Sequence, residues 1–387
     1  VKSWIEISAA RLAHNLHAVQ AAVGAETEVL AVVKANGYGH DAVIAAQALV
    51  AAGARWLGVS DVEEGARVRR TVGAAPSILV MCGMETEDAP ALVAYNLTPV
   101  IWTVEHVAAM EHAAQQAGQR VRVHLEIDTG MSRQGAIPGE DTTRVVAALQ
   151  SSPWVLCEGV MSHLSSSEEA QSPATTAQLA RFANVDFEHN PQSDWLPLLP
   201  QIVHLANTSA VDEGSTLQRM QLLAQHLSAR VMVRTGLALY GHALPLEHAS
   251  GLGSLAPDLQ PALTWKTRIV DLRHIPAGAT VGYGATFTAT APMRLALLPV
   301  GYADGLRREA SSGLGDGWVC IAGQRAAVVG RVSMNLTVVD VTHIPSAALG
   351  DEAILLGEGV TAEDHARWCG TIPYEILCGI RAHARLV

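Results

Sequence analysis

The sequence predicts an α/β protein, a (β/α)8 barrel of the TIM type followed by a C-terminal, mainly β domain. Three observations predict it. Short, nearly continuous apolar runs alternate with amphipathic helical stretches from about residue 26 to residue 240, as parallel strands buried on both faces require. After Gly241 the texture changes to a Gly/Ser/Leu-rich connection, His242–Leu259, and then to short β-like segments broken by turn signals. The length, 387 residues, accommodates a barrel plus an appendage.

The strand candidates in the first part are Val29–Val33, Trp56–Val59, Ile78–Cys82, Pro99–Trp102, Val121–Ile127, Val155–Met161, Ile202–Ala206 and Val231–Leu239. Between them, Asp41–Ala52, Val62–Thr71, Val104–Ala117 and Thr142–Ser151 read as helices. The same alternation can build an open doubly wound sheet, and strand count alone leaves that alternative open. In the second part the candidates are Leu263–Leu272, Met293–Leu298, Trp318–Ile321, Ala326–Val332 and Thr337–Val341. The expected division is a barrel over 8–241 and a β domain over 242–387, with residues 1–7 joining the latter.

Composition excludes some functions. Hydrophobic residues make up 49% of the chain, enough for a sizeable core. A formal net charge of −11 argues against nucleic acid, whose phosphates require clustered Lys and Arg. No apolar run reaches the roughly 20 residues of a membrane span, and Val1–Ile7 lacks the apolar core of a signal peptide. The five cysteines form no close metal-type pair and read as reduced thiols of a cytoplasmic protein, with no metal expected.

The most informative segment runs from Val29 to Asp41. Five apolar residues lead into Lys34, and a Gly/Asn turn and a helix follow. Lys34 therefore stands at the C-terminal end of the first barrel strand, the face on which barrel active sites are built. Partial desolvation there favours a neutral amine, the form that adds to an aldehyde. The segment Val33-Lys34-Ala35-Asn36-Gly37-Tyr38-Gly39-His40 resembles the cofactor-lysine motif of alanine racemases, a family of barrel-type pyridoxal-phosphate enzymes. The resemblance implies that Lys34 bonds to the cofactor and is one of two catalytic bases, with Tyr38 beside the cofactor phosphate.

The remaining motifs follow in family order. Glu126–Gly135 contains Arg133, whose counterpart contacts the cofactor's phenolic oxygen and the substrate carboxylate, a task suited to a forked guanidinium. Many members carry a carbamylated lysine where Glu126 stands, so Glu126 is expected to supply that negative charge and pair with Arg133. His163, at the end of the sixth strand, is implied to pack on the pyridine ring. The loops after the seventh and eighth strands commonly hold phosphate in barrels. They assign Asn207, Thr208, Gly236 and Leu237 to the cofactor, the last two through backbone amides. The family usually has serine at Thr208. By resemblance Arg234 faces the pyridine nitrogen; a permanent cation keeps that nitrogen unprotonated, leaves the ring a weaker electron sink and suppresses transamination.

In the β domain, Val281–Phe287 resembles the segment carrying the second base, Tyr283, which the family places in the partner subunit's active site. A phenol ordinarily ionises near pH ~10 and needs a cationic neighbourhood to act as a base near neutrality. Tyr302 is implied to narrow the entrance. The Met334 amide is implied to meet the substrate carboxylate, and Tyr374 to stand among the cofactor-binding residues near the substrate side chain. Asn335 replaces an aspartate common in the family.

Taken singly, each motif has a bland reading: a loop lysine, a surface arginine, a core histidine, a turn tyrosine. Their joint occurrence in family order along nearly the whole chain points to interconversion of L- and D-alanine by a homodimer with shared active sites. The resemblance implies D-alanine supply for peptidoglycan precursors or, alternatively, alanine catabolism. A serine or broad-specificity racemase shares these motifs, and Glu126 and Asn335 leave it open, whereas Tyr374 favours a small pocket. Related barrel-plus-β-domain decarboxylases lack the Val281–Thr286 pattern. A non-catalytic cofactor-binding barrel would need neither Tyr283 nor the residues after 241.

Overall fold

A computed structural model describes residues 1–185, 200–247 and 253–387. Two compact units emerge. One comprises Arg11–Gly37 and Ala45–Gln260, the other Val1–Ala10, Tyr38–Ile44 and Pro261–Val387. The chain starts with strand β1 (Ser3–Ile7), which belongs to the second unit.

The first unit is a closed parallel barrel of β2 (Thr27–Val32), β3 (Trp56–Val59), β4 (Ser77–Val80), β5 (Thr98–Ile101), β6 (Val121–Glu126), β7 (Val155–Met161), β8 (Ile202–His204) and β9 (Arg230–Thr235). Closure, rather than an open sheet, follows from the pairing of β9 with β2, which sets Leu30 opposite Arg234 and Ala31 opposite Thr235. Leu30, Leu57, Ile78, Leu79, Val123, Leu125, Val160 and Val233 are fully buried. That explains why the strands read as continuous apolar runs.

The helices form where caps and periodicity agree. Val104–Ala117 starts at Thr103, whose hydroxyl accepts from the His106 amide, and stops at Gly118 with φ 65°. It buries Val107, Met110, Ala113 and Ala114, positions on one helical face. Each of the larger side chains contributes about 1.5–3 kcal/mol by leaving water.

Several expected elements differ. The run Val231–Leu239 is not one strand: β9 ends at Thr235, and Gly236 leads into a short 3-10 turn, Leu237–Tyr240. Apolar content cannot distinguish a buried turn from a strand. Residues 242–260, expected with the β domain, cluster with the barrel, although 248–252 lie outside the described residues. Asp212 accepts from the Leu255 and Ala256 amides at 2.7 and 3.1 Å, and Asn15 donates to Gln260 O at 2.8 Å, tying this connection down. Finally, Leu263–Leu272 is two strands in different sheets, β10 (Leu263–Arg268) and β11 (Asp271–Ile275).

The second unit is mainly β. Its further strands are β12 (Thr280–Val281), β13 (Phe287–Thr288), β14 (Met293–Leu298), β15 (Trp318–Ile321), β16 (Gln324–Ala327), β17 (Thr337–Asp340), β18 (Glu352–Leu356) and β19 (His383–Leu386). The largest sheet has the order β16-β15-β18-β10-β1-β19, so the N-terminal strand sits between β10 and β19. A second sheet, β11-β14-β17, packs Leu295 with Val281 and Val329. The expected Ala326–Val332 strand ends at Ala327; Gly330, with φ 72°, breaks it.

Candidate active site

Lys34 follows β2 by two residues and is half-buried at the barrel's C-terminal mouth. The backbone beyond it makes a left-handed turn: Ala35, Asn36 and Gly37 take φ of 53°, 53° and 66°. Non-glycine residues pay roughly 1–2 kcal/mol each for that conformation. It is held by Gly37 N donating to Val33 O at 2.8 Å, Asn36 N donating to Glu64 Oε1 at 3.0 Å, and the Arg67 guanidinium reaching Asn36 Oδ1 at 3.4 Å. Strain of this kind collects where a side chain must be aimed, here directly after the lysine.

Arg234 is the hub of the barrel interior. It is 5% exposed. Its Nη1 donates to His204 O at 2.6 Å and to His204 Nδ1 at 3.2 Å. Its Nη2 donates to Ser162 O at 2.8 Å, Leu205 O at 3.3 Å and His163 Nδ1 at 3.0 Å. All these bonds use the two terminal nitrogens, so Nε–H donates to none of the described residues. Burial lowers the Arg234 pKa to about 10, with Glu126 opposing and Arg133 adding to the shift. The guanidinium therefore remains charged at neutral pH. His163 is pushed down to about 3, first by burial and then by the charges of Arg234, Arg133 and Lys34. It is a neutral ring, bonded to Arg234 and lining one recess with Arg133.

Glu126 is 2% exposed and does not pair with Arg133 as expected. Its carboxylate accepts from Gln134 Nε2 at 2.5 Å, and the same nitrogen donates to Met81 O at 2.9 Å. Among the described residues Glu126 has no ion pair with Arg133 within 4 Å, and Arg133 is exposed. The loop geometry explains the exchange. Asp128 Oδ1 gathers the amides of Gly130, Met131 and Ser132 at 2.9, 2.9 and 3.0 Å. The chain then turns back through Ser132 (φ 55°) and Gly135 (φ 113°), delivering Gln134 to the carboxylate. Arg133 still lowers the Glu126 pKa through space, behind Gln134 and Arg234. Glu126, Arg133, Gln134, Ser162 and His163 line one small recess.

Burial is the largest influence on Glu126 and lifts its pKa above the ordinary value. A carboxyl raised on folding contributes stability that is complete below its unfolded pKa, near ~4.3, and is lost as pH rises through the folded value. Glu126→Gln cannot ionise. Its stability relative to wild type should therefore improve as pH climbs from about 4 to 7. Urea denaturation across that range checks this, and a pH-independent difference would contradict it.

The loops after β8 and β9 meet. Thr208, 3% exposed, opens the short helix Thr208–Glu213, and its hydroxyl accepts from Gly236 N at 3.3 Å. Asn207 caps the same helix by accepting from Ala210 N at 3.0 Å, and Ser167 Oγ donates to the same oxygen at 2.8 Å. Leu237 is fully buried beside Gly236. Thr235 Oγ1 is buried with no hydrogen-bond partner among the described residues.

In the second unit, Tyr38 and Tyr374 bring their rings within 5.7 Å at 44°. Tyr302 N donates to Ser333 O at 3.0 Å and Ala303 N to Met334 O at 2.9 Å, joining the segments that carry Tyr302, Met334 and Asn335. A Cβ on Gly301 would lie 2.0 Å from Ser333 O, so the approach requires glycine. Asn335 Nδ2 donates to Asp304 Oδ2 at 3.4 Å, where an aspartate would set two carboxylates face to face. Tyr283 is 73% exposed between Gly282 (φ 78°) and Gly284 (φ 73°). Met334 is 57% exposed.

Comparison with known proteins supplies the family. The family model for the alanine racemase N-terminal domain matches residues 7–244, and that for the C-terminal domain matches 262–387. The chain belongs to the alanine racemase family. An alanine racemase of Syntrophobacter fumaroxidans is 37% identical over 383 residues, covering 98% of this chain and 95% of the relative. The alanine racemase structure from Streptomyces coelicolor A3(2) superposes with a TM-score of 0.87 at 32% identity, covering 100% of this chain and 98% of that one. An alanine racemase from Bartonella henselae, solved with covalently bound pyridoxal phosphate, gives a TM-score of 0.83 at 26% identity, covering 100% of both chains.

The alanine racemase family uses pyridoxal phosphate, and its reaction is a racemisation. The barrel residues fit that group. An uncommitted Nε–H on a buried guanidinium suits an unprotonated ring nitrogen. A neutral His163 suits an aromatic ring, and the Thr208 hydroxyl beside the Gly236 amide, at the start of a helix, suits an anionic oxygen cluster.

The sequence reading missed Gln134, His124 and Glu158, and left His204 without a role. Only Gln134 carried a local signal, as a polar residue in the arginine loop.

Proposed function

We propose that this chain interconverts L- and D-alanine by proton transfer at the α-carbon, using Lys34 and Tyr283 on opposite faces of the substrate. The observation that carries the reading is the buried Arg234 guanidinium bonded to His163 at 3.0 Å, with Arg133 lining the same recess as His163, in a barrel whose first strand runs into Lys34. When bound, pyridoxal phosphate supplies an aldehyde and a conjugated ring that acidifies the α-C–H bond. Lys34 would hold it through its amine, and the same amine, once free, would take or deliver the α-proton on one face. The partner subunit's Tyr283 does the same on the other face, so the active unit is a homodimer.

Arg234 would offer its permanently charged guanidinium to the ring nitrogen and so keep a proton off it. Arg133 forks two donors toward the substrate carboxylate, and the Met334 amide adds a third. Asn207, Thr208, Gly236 and Leu237 would hold the phosphate, a role the resemblance also gives Tyr38, and Tyr302 and Tyr374 would restrict the space left for a side chain. The five free cysteines support work in the reducing cytoplasm.

The direct test is racemisation of a panel of L-amino acids by the purified protein. Alanine should be turned over fastest; faster turnover of serine would reassign the substrate, and no racemisation would refute the reading. Tyr283→Phe should lose α-proton exchange with solvent from L-alanine roughly 100-fold or more, and much less from D-alanine. Equal losses from the two enantiomers would contradict the assignment of faces.

A further inference from the structure

Below the cofactor residues, the barrel interior carries polar groups that the proposed chemistry does not touch. The pairing of β6 with β7 jumps from Val123 opposite Cys157 to His124 opposite Gly159, so Glu158 is the extra residue of a β-bulge. Bulges re-aim side chains, and here Glu158, 13% exposed, faces the fully buried ring of His124. A Cβ on Gly159 would lie 2.7 Å from His124 Nδ1, so a bare glycine makes room for that ring. His124 Nδ1 lies 2.8 Å from His204 Nε2, and His204 Nδ1 lies 3.2 Å from Arg234 Nη1.

The two ends fix the direction of this chain. A guanidinium only donates, so His204 Nδ1 accepts and its proton resides on Nε2. That proton is donated to His124 Nδ1, leaving the His124 proton on Nε2. This buried atom has no hydrogen-bond partner among the described residues, and Glu158 Oε2 faces it at 3.7 Å, an electrostatic contact rather than a full hydrogen bond. Both rings are neutral, burial being the main cause. On its solvent side Glu158 faces Arg122 at 3.6 Å, with Arg230 nearby.

We infer that Glu158 is a positioning residue for Arg234, acting through a one-way chain, Glu158–His124–His204–Arg234, that locks both histidine tautomers and so holds the guanidinium toward the cofactor ring. The inference rests on the proposed role of Arg234 at that ring. Two neutral imidazoles without an acceptor at the far end could flip tautomers together, which would cost Arg234 its contact with His204 Nδ1.

The test is ¹⁵N-imidazole NMR of histidine-labelled holoenzyme, read beside the cofactor's absorbance spectrum and steady-state kinetics. Wild type should show His124 and His204 as Nε2–H tautomers. Glu158→Leu should mix both tautomers, shift the cofactor band, and lower kcat roughly 10-fold with KM nearly unchanged, as loss of outer partners does at other sites. Glu158→Gln, which keeps an acceptor and the side-chain volume, should restore the tautomers and most of kcat, and it decides the matter if the leucine variant does not fold. Arg122→Met should leave the tautomers alone. His124 protonated on Nδ1 in wild type would overturn the inference. So would a Glu158 variant that melts earlier with tautomers and absorbance unmoved. Tautomers are read without turnover, so failure here is distinct from a wild type that does not racemise.

Discussion

Lys34→Ala should abolish racemisation, by roughly 10⁴-fold or more, because it removes both the covalent anchor of the cofactor and one of the two bases. The expected pattern is specific. Borohydride reduction of wild-type holoenzyme should fix the cofactor to the peptide containing Lys34, whereas the variant should release it on denaturation. The fold should survive, since Lys34 is half-buried and makes no hydrogen bond to another described residue through its amine. Mass spectrometry of the reduced protein and a racemisation assay check the two halves. Covalent attachment persisting at a different lysine would sink the assignment.

Gly39→Ala should be the most damaging of the glycine substitutions near the lysine motif. Gly39 has φ +81°, and a Cβ there would lie 2.1 Å from Leu377 O and 2.9 Å from Leu377 C. Both are backbone atoms, which cannot rotate away. A cost of at least about 3 kcal/mol follows, with a melting temperature lowered by roughly 6–12 °C. Gly24 provides the control, with the same φ of +81° and nothing within 4 Å of the place a Cβ would take. Gly24→Ala should cost only the left-handed backbone, about 1 kcal/mol. Equal losses at the two positions would show that backbone conformation, not the contact with Leu377, makes Gly39 necessary.

Much of this architecture was legible because it follows from local rules. Val29–Val33 and its counterparts read as strands since both faces are apolar, and Thr103 and Gly118 mark the ends of a helix by their capping chemistry. Lys34 stands out because it interrupts an apolar run just where a Gly/Asn turn begins. The expected Glu126–Arg133 pairing fails for a related reason. Adjacent residues in a loop differ in direction, and whether Arg133 or Gln134 meets the carboxylate depends on the turn through Ser132 and Gly135.

By itself the sequence determined the strand and helix periods, the place of the lysine and the order of the motifs, because each is a property of a few neighbouring residues. Only the tertiary structure decided which distant groups touch. His124 and His204 are 80 residues apart in the chain and 2.8 Å apart in space. A one-residue bulge at Glu158 determines what faces His124. Side chains in a strand alternate with a period of two, so a register shift of one residue exchanges buried for exposed. No local pattern records that shift, and the lateral fit of strands around the closed barrel alone establishes it.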